Sequence, residues 1–319
     1  MFLLIAVVGL FYVKWFPYYN RVFVAASQHA IGKSILMGTA ASAPQPSWQA
    51  ALDYAMAYGR AIWQAMVLGL LLGSAVQALI PPRWVARALG RNDFGSVLNG
   101  GLMSLPGMMC TCCAALAFWL GNTVLNLAAL VFMGFVLGWQ WTGLRLALGV
   151  PMVFGLDYAV NRMVTPAQAA ASRAALAKLI EEDEPGTAFS RWIGILGRMT
   201  LRLVPEYVVL VLLLGAARAW LFPHIGPDIG NGMLWIAAFA VAGTLFVIPT
   251  AGEVPIIQAM LSLGMAAGPA GALLMTLPPV SVPSLAMLGR SFSWRVLAFV
   301  TIAVIAFGIV GGLIAAALF

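Results

Sequence analysis

The three cysteines of the chain stand within one short stretch, "PGMMCTCCAAL", from Pro106 to Leu116. Thiolates bind soft metals and metalloids such as Cu(I), Zn or As(III), and the thioethers of Met108 and Met109 would add further sulfur. Cys110, Cys112 and Cys113 are therefore candidates to hold a thiophilic solute, with Cys110 and Cys112 as the soft-metal or metalloid pair. The spacing is not that of a zinc finger, because a second ligand pair is missing and both histidines, His29 and His224, lie elsewhere. Two other readings stand beside this one. Free cysteine is a small apolar residue suited to close helix packing in membranes. Cys110 and Cys113 also have Cys-x-x-Cys spacing, which a thiol-redox enzyme would use. Against that, no Lys, Arg or His is near in sequence to stabilise a thiolate, and no second cysteine pair exists to relay electrons.

A second candidate is "IPTAGEVPII", where Pro249, Gly252 and Pro255 crowd around Glu253, with Thr250 beside them. A third is "TLPPVSVPSL", with Pro278, Pro279 and Pro283. Proline removes a helix donor and clashes with the preceding turn. Backbone groups freed at membrane depth are tolerated only where protein or a wet cavity satisfies them. These segments are expected to line such a cavity, with Glu253 as proton carrier or substrate contact, since an intramembrane carboxylate is costly. The alternative for Glu253 is a structural hydrogen bond to backbone unwound by the prolines. Asn122 and Asn126, in "GNTVLNLA", stand four apart and would share one face of a continuous helix, lining the path or bonding between helices.

The elements that must position these residues follow from composition. Hydrophobic residues make up 62% of the chain and charged residues 8%, and the mean hydropathy is +0.97, far outside the soluble range. Membrane helices are expected at Phe2 to Val13, Ala61 to Ile80, Phe94 to Met109, Leu116 to Leu137 and Trp141 to Val160. In the second half they fall at Pro205 to Phe222, Gly230 to Ile248, Ile256 to Gly264, Ala270 to Leu288 and Trp294 to Leu318. No alternating pattern suggests a barrel. The N-terminus lacks the positive region and small-residue cleavage site of a signal peptide. The acidic run Glu181 to Glu184 reads as a solvated face. The net charge of +7 is what juxtamembrane Lys and Arg produce, and nothing points to nucleic acid.

The chain also repeats itself. "LGLLLGSAVQALIPP" from Leu68 lies over "LVLLLGAARAWLFPH" from Leu210, the region of Cys112 falls on Ala251, and "WTGLRLALGVPMVFG" from Trp141 lies over "WRVLAFVTIAVIAFG" from Trp294. The expected division is an N-terminal helix and loop (1–59), a first membrane repeat (60–163), a charged cytoplasmic loop (164–191) and a second membrane repeat (192–319). Arg83, Arg87 and Arg91 follow the first matched helix, while its counterpart loop "HIGPDIG" has no Lys or Arg. Before the last matched helix the bias reverses, with Arg290 and Arg295 against an uncharged "GWQW". By the positive-inside rule the copies are inverted, an arrangement common in secondary transporters, whose sites lie near the midplane where helices break. The segment from Lys14 to Arg60, read as a loop, fits that rule poorly.

"PGMMCTCCAA", "ALAFWLGNTVLN", "VIPTAGEVPII" and "LPPVSVPSL" followed by "GR" resemble the predicted permeases that include YraQ-like proteins and the ArsP organoarsenical permeases, over roughly residues 60 to 318. The resemblance implies a multi-helix inner-membrane permease with two related halves. In the ArsP branch the cysteine motif is associated with efflux of trivalent organoarsenicals. By position Cys110 and Cys112 take the place of that motif's cysteines, and Gly252, Glu253 and Pro255 stand at its Gly-Glu-x-Pro. The chain departs from the pattern twice. "CTCCA" joins almost directly to "ALAFWLGN", so the first half lacks a short helix that Pro255 to Gly271 supply in the second. Prolines expected at Thr123 and Leu127 are missing, so that stretch should continue as regular helix.

The expectation is an all-α polytopic membrane protein of two inverted repeats with proline-broken or re-entrant helices at the midplane. Its function would be transport, not catalysis, with alternating access driven by an ion or proton gradient, since no Gly-rich phosphate loop with its lysine is present to couple ATP. No cofactor is expected. The partners are membrane lipid and a small solute, and a homo-oligomer is left open. The other function classes are the thiol-redox enzyme and a membrane scaffold that transports nothing.

Overall fold

The computed structural model describes residues 7–30, 34–35, 45–79, 116–163, 187–221, 226–249, 251–289 and 292–319. Every regular element among them is a helix. The N-terminal helix, α1, passes through a π-helical segment, Phe11–Trp15, into Phe16–Gln28. Then come α2 (Trp48–Leu79), α3 (Leu116–Val124), α4 (Leu127–Val136) and α5 (Trp139–Met163). The second half contains α6 (Ala188–Leu221), α7 (Met233–Gly243), α8 (Glu253–Ser262), α9 (Ala267–Thr276), α10 (Val282–Leu288) and α11 (Trp294–Leu318). Among the described residues, five stretches are long and apolar enough to cross a membrane: Trp48–Ala75, Trp119–Val136, Trp139–Val160, Phe189–Ala216 and Trp294–Leu318.

Several boundaries differ from the sequence reading. The segment from Lys14 to Arg60 is not one loop: it is helical to Gln28 and again from Trp48. Both α2 and α6 begin well before Ala61 and Pro205, because the two long helices lie against each other. Trp192 donates its indole N–H to Ser74 Oγ at 2.9 Å, and the hydroxyls of Tyr58 and Tyr207 meet at 2.6 Å. At Gly215 an added Cβ would lie 2.9 Å from Tyr54 Cβ, so only glycine lets the backbones come this close. These pairings set the start of α6 against the end of α2, an antiparallel arrangement. Pro205 removes one donor inside α6 without ending the helix.

Where single helices were expected from Leu116, Gly230 and Ala270, the structure has breaks. The same order recurs in both halves: a short helix, a break, a second short helix, then a long one. Helices α4 and α10 start at Leu127 and Val282, and α5 and α11 run from Trp139 to Met163 and from Trp294 to Leu318, each pair separated by the same interval. Helices α5 and α11 are also antiparallel, since Trp141 packs on Phe319 with ring centroids 4.8 Å apart, while a Cβ at Gly311 would meet Leu148 at 3.3 Å.

The core is built where α9 crosses α11. Gly268, Gly271 and Ala272 on α9 face Gly308, Gly311, Gly312 and Ala315 on α11. A Cβ at Gly271 would stand 2.6 Å from Ala315 Cβ and 2.9 Å from the carbonyl of Gly311. In hydrocarbon, where no hydrophobic force pushes helices together, such close packing supplies the attraction. Helix α1 docks from outside this core: Tyr18 stacks on Phe132, and His29 Nδ1 lies 2.7 Å from the carbonyl of Phe135. Gln258 of α8 donates to the carbonyl of His29 at 2.7 Å.

Candidate functional site

The site begins with two helix breaks of different chemistry. Between α3 and α4 the chain turns extended at Asn126, whose Oδ1 accepts from the backbone N–H groups of Ala128 and Ala129 at 3.0 and 3.2 Å. This is an N-cap, and it starts α4 without any proline. In a continuous helix the N–H of Ala128 would go to the carbonyl of Val124; the cap diverts it and leaves that carbonyl free. The expectation of regular helix through Thr123 and Leu127 is thus overturned, because a side-chain amide does what proline would have done. Asn122 and Asn126 do not share a continuous face: Asn126 caps α4, and its amide N–H₂ lies 3.4 Å from the carbonyl of Asn122.

After α9 the break is made by proline. The carbonyl of Leu274 would accept from residue 278, but Pro278 has no N–H. Pro279 follows in the turn, and Ser281 caps α10 in a reciprocal pairing with Ser284. The "VIPTAGEVP" segment runs without regular structure from Phe246 to Pro249, and the hydroxyl of Tyr54 donates to the carbonyl of Val247 at 2.8 Å. Ala251 is left-handed at φ 63°, a costly conformation for a residue with a Cβ. Gly252 fits because a Cβ there would lie 2.8 Å from the carbonyl of Pro249. Helix α8 then opens at Glu253, with Pro255 in its first turn, where the missing donor costs nothing.

Arg145, on α5, joins the pieces. Its side chain is fully buried, and Nε and Nη2 donate to the carbonyls of Val124 and Thr123, both at 2.9 Å, while Nη1 donates to the carbonyl of Leu274 at 3.1 Å. The guanidinium therefore collects the carbonyls that both breaks release, at the C-terminal ends of α3 and α9, where the helix dipole is negative. Glu253 Oε1 lies 3.1 Å from Nη2, with exposures of 0% for Arg145 and 2% for Glu253. The carboxylate oxygen is close enough for a strong charge attraction but is not in hydrogen-bonding alignment: Oε1 makes no hydrogen bond. Trp119 Nε1 and Asn122 Oδ1, five and two residues before the end of α3 at Val124, are buried and likewise without a hydrogen-bond partner among the described residues.

The structure thus brings Gly252, Glu253 and Pro255 to the break that holds Asn122 and Asn126, and to the break made by Pro278 and Pro279. Cys110, Cys112, Cys113 and Thr250 lie outside the described residues. Among the described residues no cluster of His, Cys, Asp or Glu could hold a metal ion. Arg145 was missed in the sequence. The signal was there, a lone guanidinium within the apolar run Trp141 to Val160, and it calls for the same reasoning as Glu253.

Residues 111–317 match the ArsP_1 family, described as a predicted permease. The chain belongs to this permease family. UPF0718 protein YraQ of Escherichia coli strain K12 is 49% identical over 336 residues, covering 98% of this chain and 93% of that protein. UPF0718 protein MJ0584 of Methanocaldococcus jannaschii is 34% identical over 118 residues, covering 34% of this chain and 32% of that protein. No solved structure matches the chain. The permease is a multi-pass membrane transporter, and the matched region holds both Arg145 and Glu253.

Proposed function

We propose that the permease is a secondary transporter of a bacterial inner membrane that moves a small thiophilic solute, such as a trivalent organoarsenical, by alternating access between two inverted helical halves. The observation that carries this reading is the Arg145–Glu253 pair at the meeting point of helices broken in both halves, the place where secondary transporters put their sites. The antiparallel packing of α2 on α6 and of α5 on α11 supports inversion, because helices related by an in-plane two-fold axis run in opposite directions. The thiophilic class is supported by the sulfur-rich "PGMMCTCC" alone. Cys110, Cys112 and Cys113 bind the solute, Asn122 and Asn126 shape the path, Thr250, Gly252 and Pro255 set the approach to Glu253, and Pro278 and Pro279 hold the second break open. Glu253 changes its charge state during the cycle. The protein catalyses no covalent step and uses no cofactor.

The test is titration calorimetry of the purified, reduced protein with phenylarsine oxide, wild type beside a Cys110→Ser/Cys112→Ser variant and Glu253→Gln, followed by vesicle flux. Stoichiometric binding that disappears with the cysteines supports the thiophilic class. Binding indifferent to them removes it, and flux unchanged in Glu253→Gln removes the carboxylate from the cycle.

A further inference from the structure

Half-helix C-termini and unwound carbonyls are the places where transporters coordinate a sodium ion. In this permease the C-terminal ends of α3 and α9 converge with Glu253 on one point, and that point is already filled. Thr123, Val124 and Leu274 present their carbonyl oxygens to it at 2.9, 2.9 and 3.1 Å, and the Glu253 carboxylate completes the set at 3.1 Å. Three carbonyls and a carboxylate are the donor set of a hard cation. The geometry points to Arg145 as a resident cation, covalently fixed where another transporter would bind sodium, which leaves a proton on Glu253 Oε1 as the exchangeable charge.

This rests on the transporter reading and names its coupling ion. Guanidinium does not deprotonate in proteins, so Arg145 keeps its charge through the cycle and repels any metal cation approaching the carbonyls. Glu253 is the partner that changes. Its Oε1 is buried, 3.1 Å from Nη2 but outside hydrogen-bonding alignment with it, and this is the atom on which the exchanged proton would be carried. The carboxylate accepts the proton from whichever aqueous side is open, becomes a neutral acid, and returns the proton on the other side; no other bond forms or breaks. Among the described residues, the charged groups around Glu253 are few. Helices α4 and α9, which pack on α8, carry none, nor does α3. Helix α5 contributes Arg145, with Asp157 and Arg162 farther along it, and the backbone carbonyl of His29 accepts from Gln258 midway along α8 while its ring meets the carbonyl of Phe135. The strained Ala251 and the close-fitting Gly252 stand immediately before Glu253, where a small backbone change would part the carboxylate from Nη2.

The experiment uses the purified full chain in detergent and needs no knowledge of the solute. Thermal unfolding is followed in sodium chloride and in choline chloride of equal ionic strength for wild type, Arg145→Ala and Arg145→Lys. Wild type and Arg145→Lys should have the same Tm in both salts. Arg145→Ala should unfold several degrees lower and regain much of that loss with methylguanidinium or sodium, because its cage is empty. Infrared difference spectra recorded on acidification should show, in wild type over Glu253→Gln, one additional acid carbonyl band beyond those of the other carboxyl groups of the chain, which carries ten Asp and Glu residues in all. Stabilisation of wild type by sodium over choline, a folded Arg145→Ala that ignores methylguanidinium, or an acid band unchanged in Glu253→Gln each overturns the inference. If Arg145→Ala does not fold, the wild-type salt comparison and the infrared band decide alone. Failure of phenylarsine oxide to bind would leave these outcomes untouched and count only against the proposed solute.

Discussion

Arg145 and Glu253 come from opposite halves of the chain and lie 3.1 Å apart, neither reaching solvent. A buried ion pair is weak evidence for stability, because desolvation offsets much of the Coulomb gain; removing one partner is the costly act, leaving a lone charge in a medium that cannot solvate it. Arg145→Met should therefore destabilise the permease by ~3–5 kcal/mol. Glu253→Gln should cost less, since Arg145 keeps three carbonyls. The double variant Arg145→Met/Glu253→Leu should be more stable than the sum of the single effects predicts. Denaturant unfolding in a fixed detergent checks this, and strict additivity would mean that the two charges do not interact.

Asn126 starts α4 through two accepted backbone hydrogen bonds. Asn126→Ala should lose about 1 kcal/mol as a cap, within the usual spread of 0.5–2, and Asn126→Asp should recover part of it. The break also frees the carbonyl that Arg145 Nε takes from Val124. Flux should consequently fall in Asn126→Ala by more than in a control variant of equal Tm. A drop in flux that merely tracks stability would reduce Asn126 to a local cap.

At the α9–α11 crossing, Gly311 has Met275 Cγ 2.9 Å and Leu148 Cδ1 3.3 Å from where a Cβ would sit, whereas nothing lies within 4 Å of a Cβ at Gly155. Gly311→Leu should cost ~1–3 kcal/mol or more by overpacking, and Gly155→Leu should be close to neutral. Equal Tm values for the two would show that the helices separate without penalty, and that the small residues do not hold the crossing.

How much of this was legible in the sequence depends on the kind of signal. The all-helical class and the breaks at Pro249 and Pro278 follow from composition and from proline's missing donor, both local properties. Glu253 was singled out because a carboxylate in an apolar run is expensive wherever it lands. The break at Asn126 was misread because asparagine is compatible with either a helix face or a cap, and only the tertiary demand of Arg145 for the carbonyls of Thr123 and Val124 decides between them. Arg145 was hidden by being read as part of a repeat. Its role depends on Leu274, far away in sequence, whose carbonyl is free only because Pro278 follows four residues later. Helix starts at Trp48 and Ala188 were obscured for a similar reason, since α2 and α6 extend each other by contact and not by local propensity.

The antiparallel run of α2 against α6 yields the last prediction. The first-half helix matches the second with Ser74 over Ala216, yet Ser74 is bonded to Trp192, at the opposite end of α6. In a variant with Cys110, Cys112 and Cys113 replaced by serine and a protease site inserted between residues 164 and 186, Ser74→Cys should be joined to Trp192→Cys by a short bifunctional thiol reagent. The two halves would then stay together on a denaturing gel after cleavage. Ser74→Cys with Ala216→Cys should separate, because antiparallel helices place those two positions far apart. The reverse pattern would set the matched helices side by side in the same direction, and a two-fold axis in the membrane plane could not relate them.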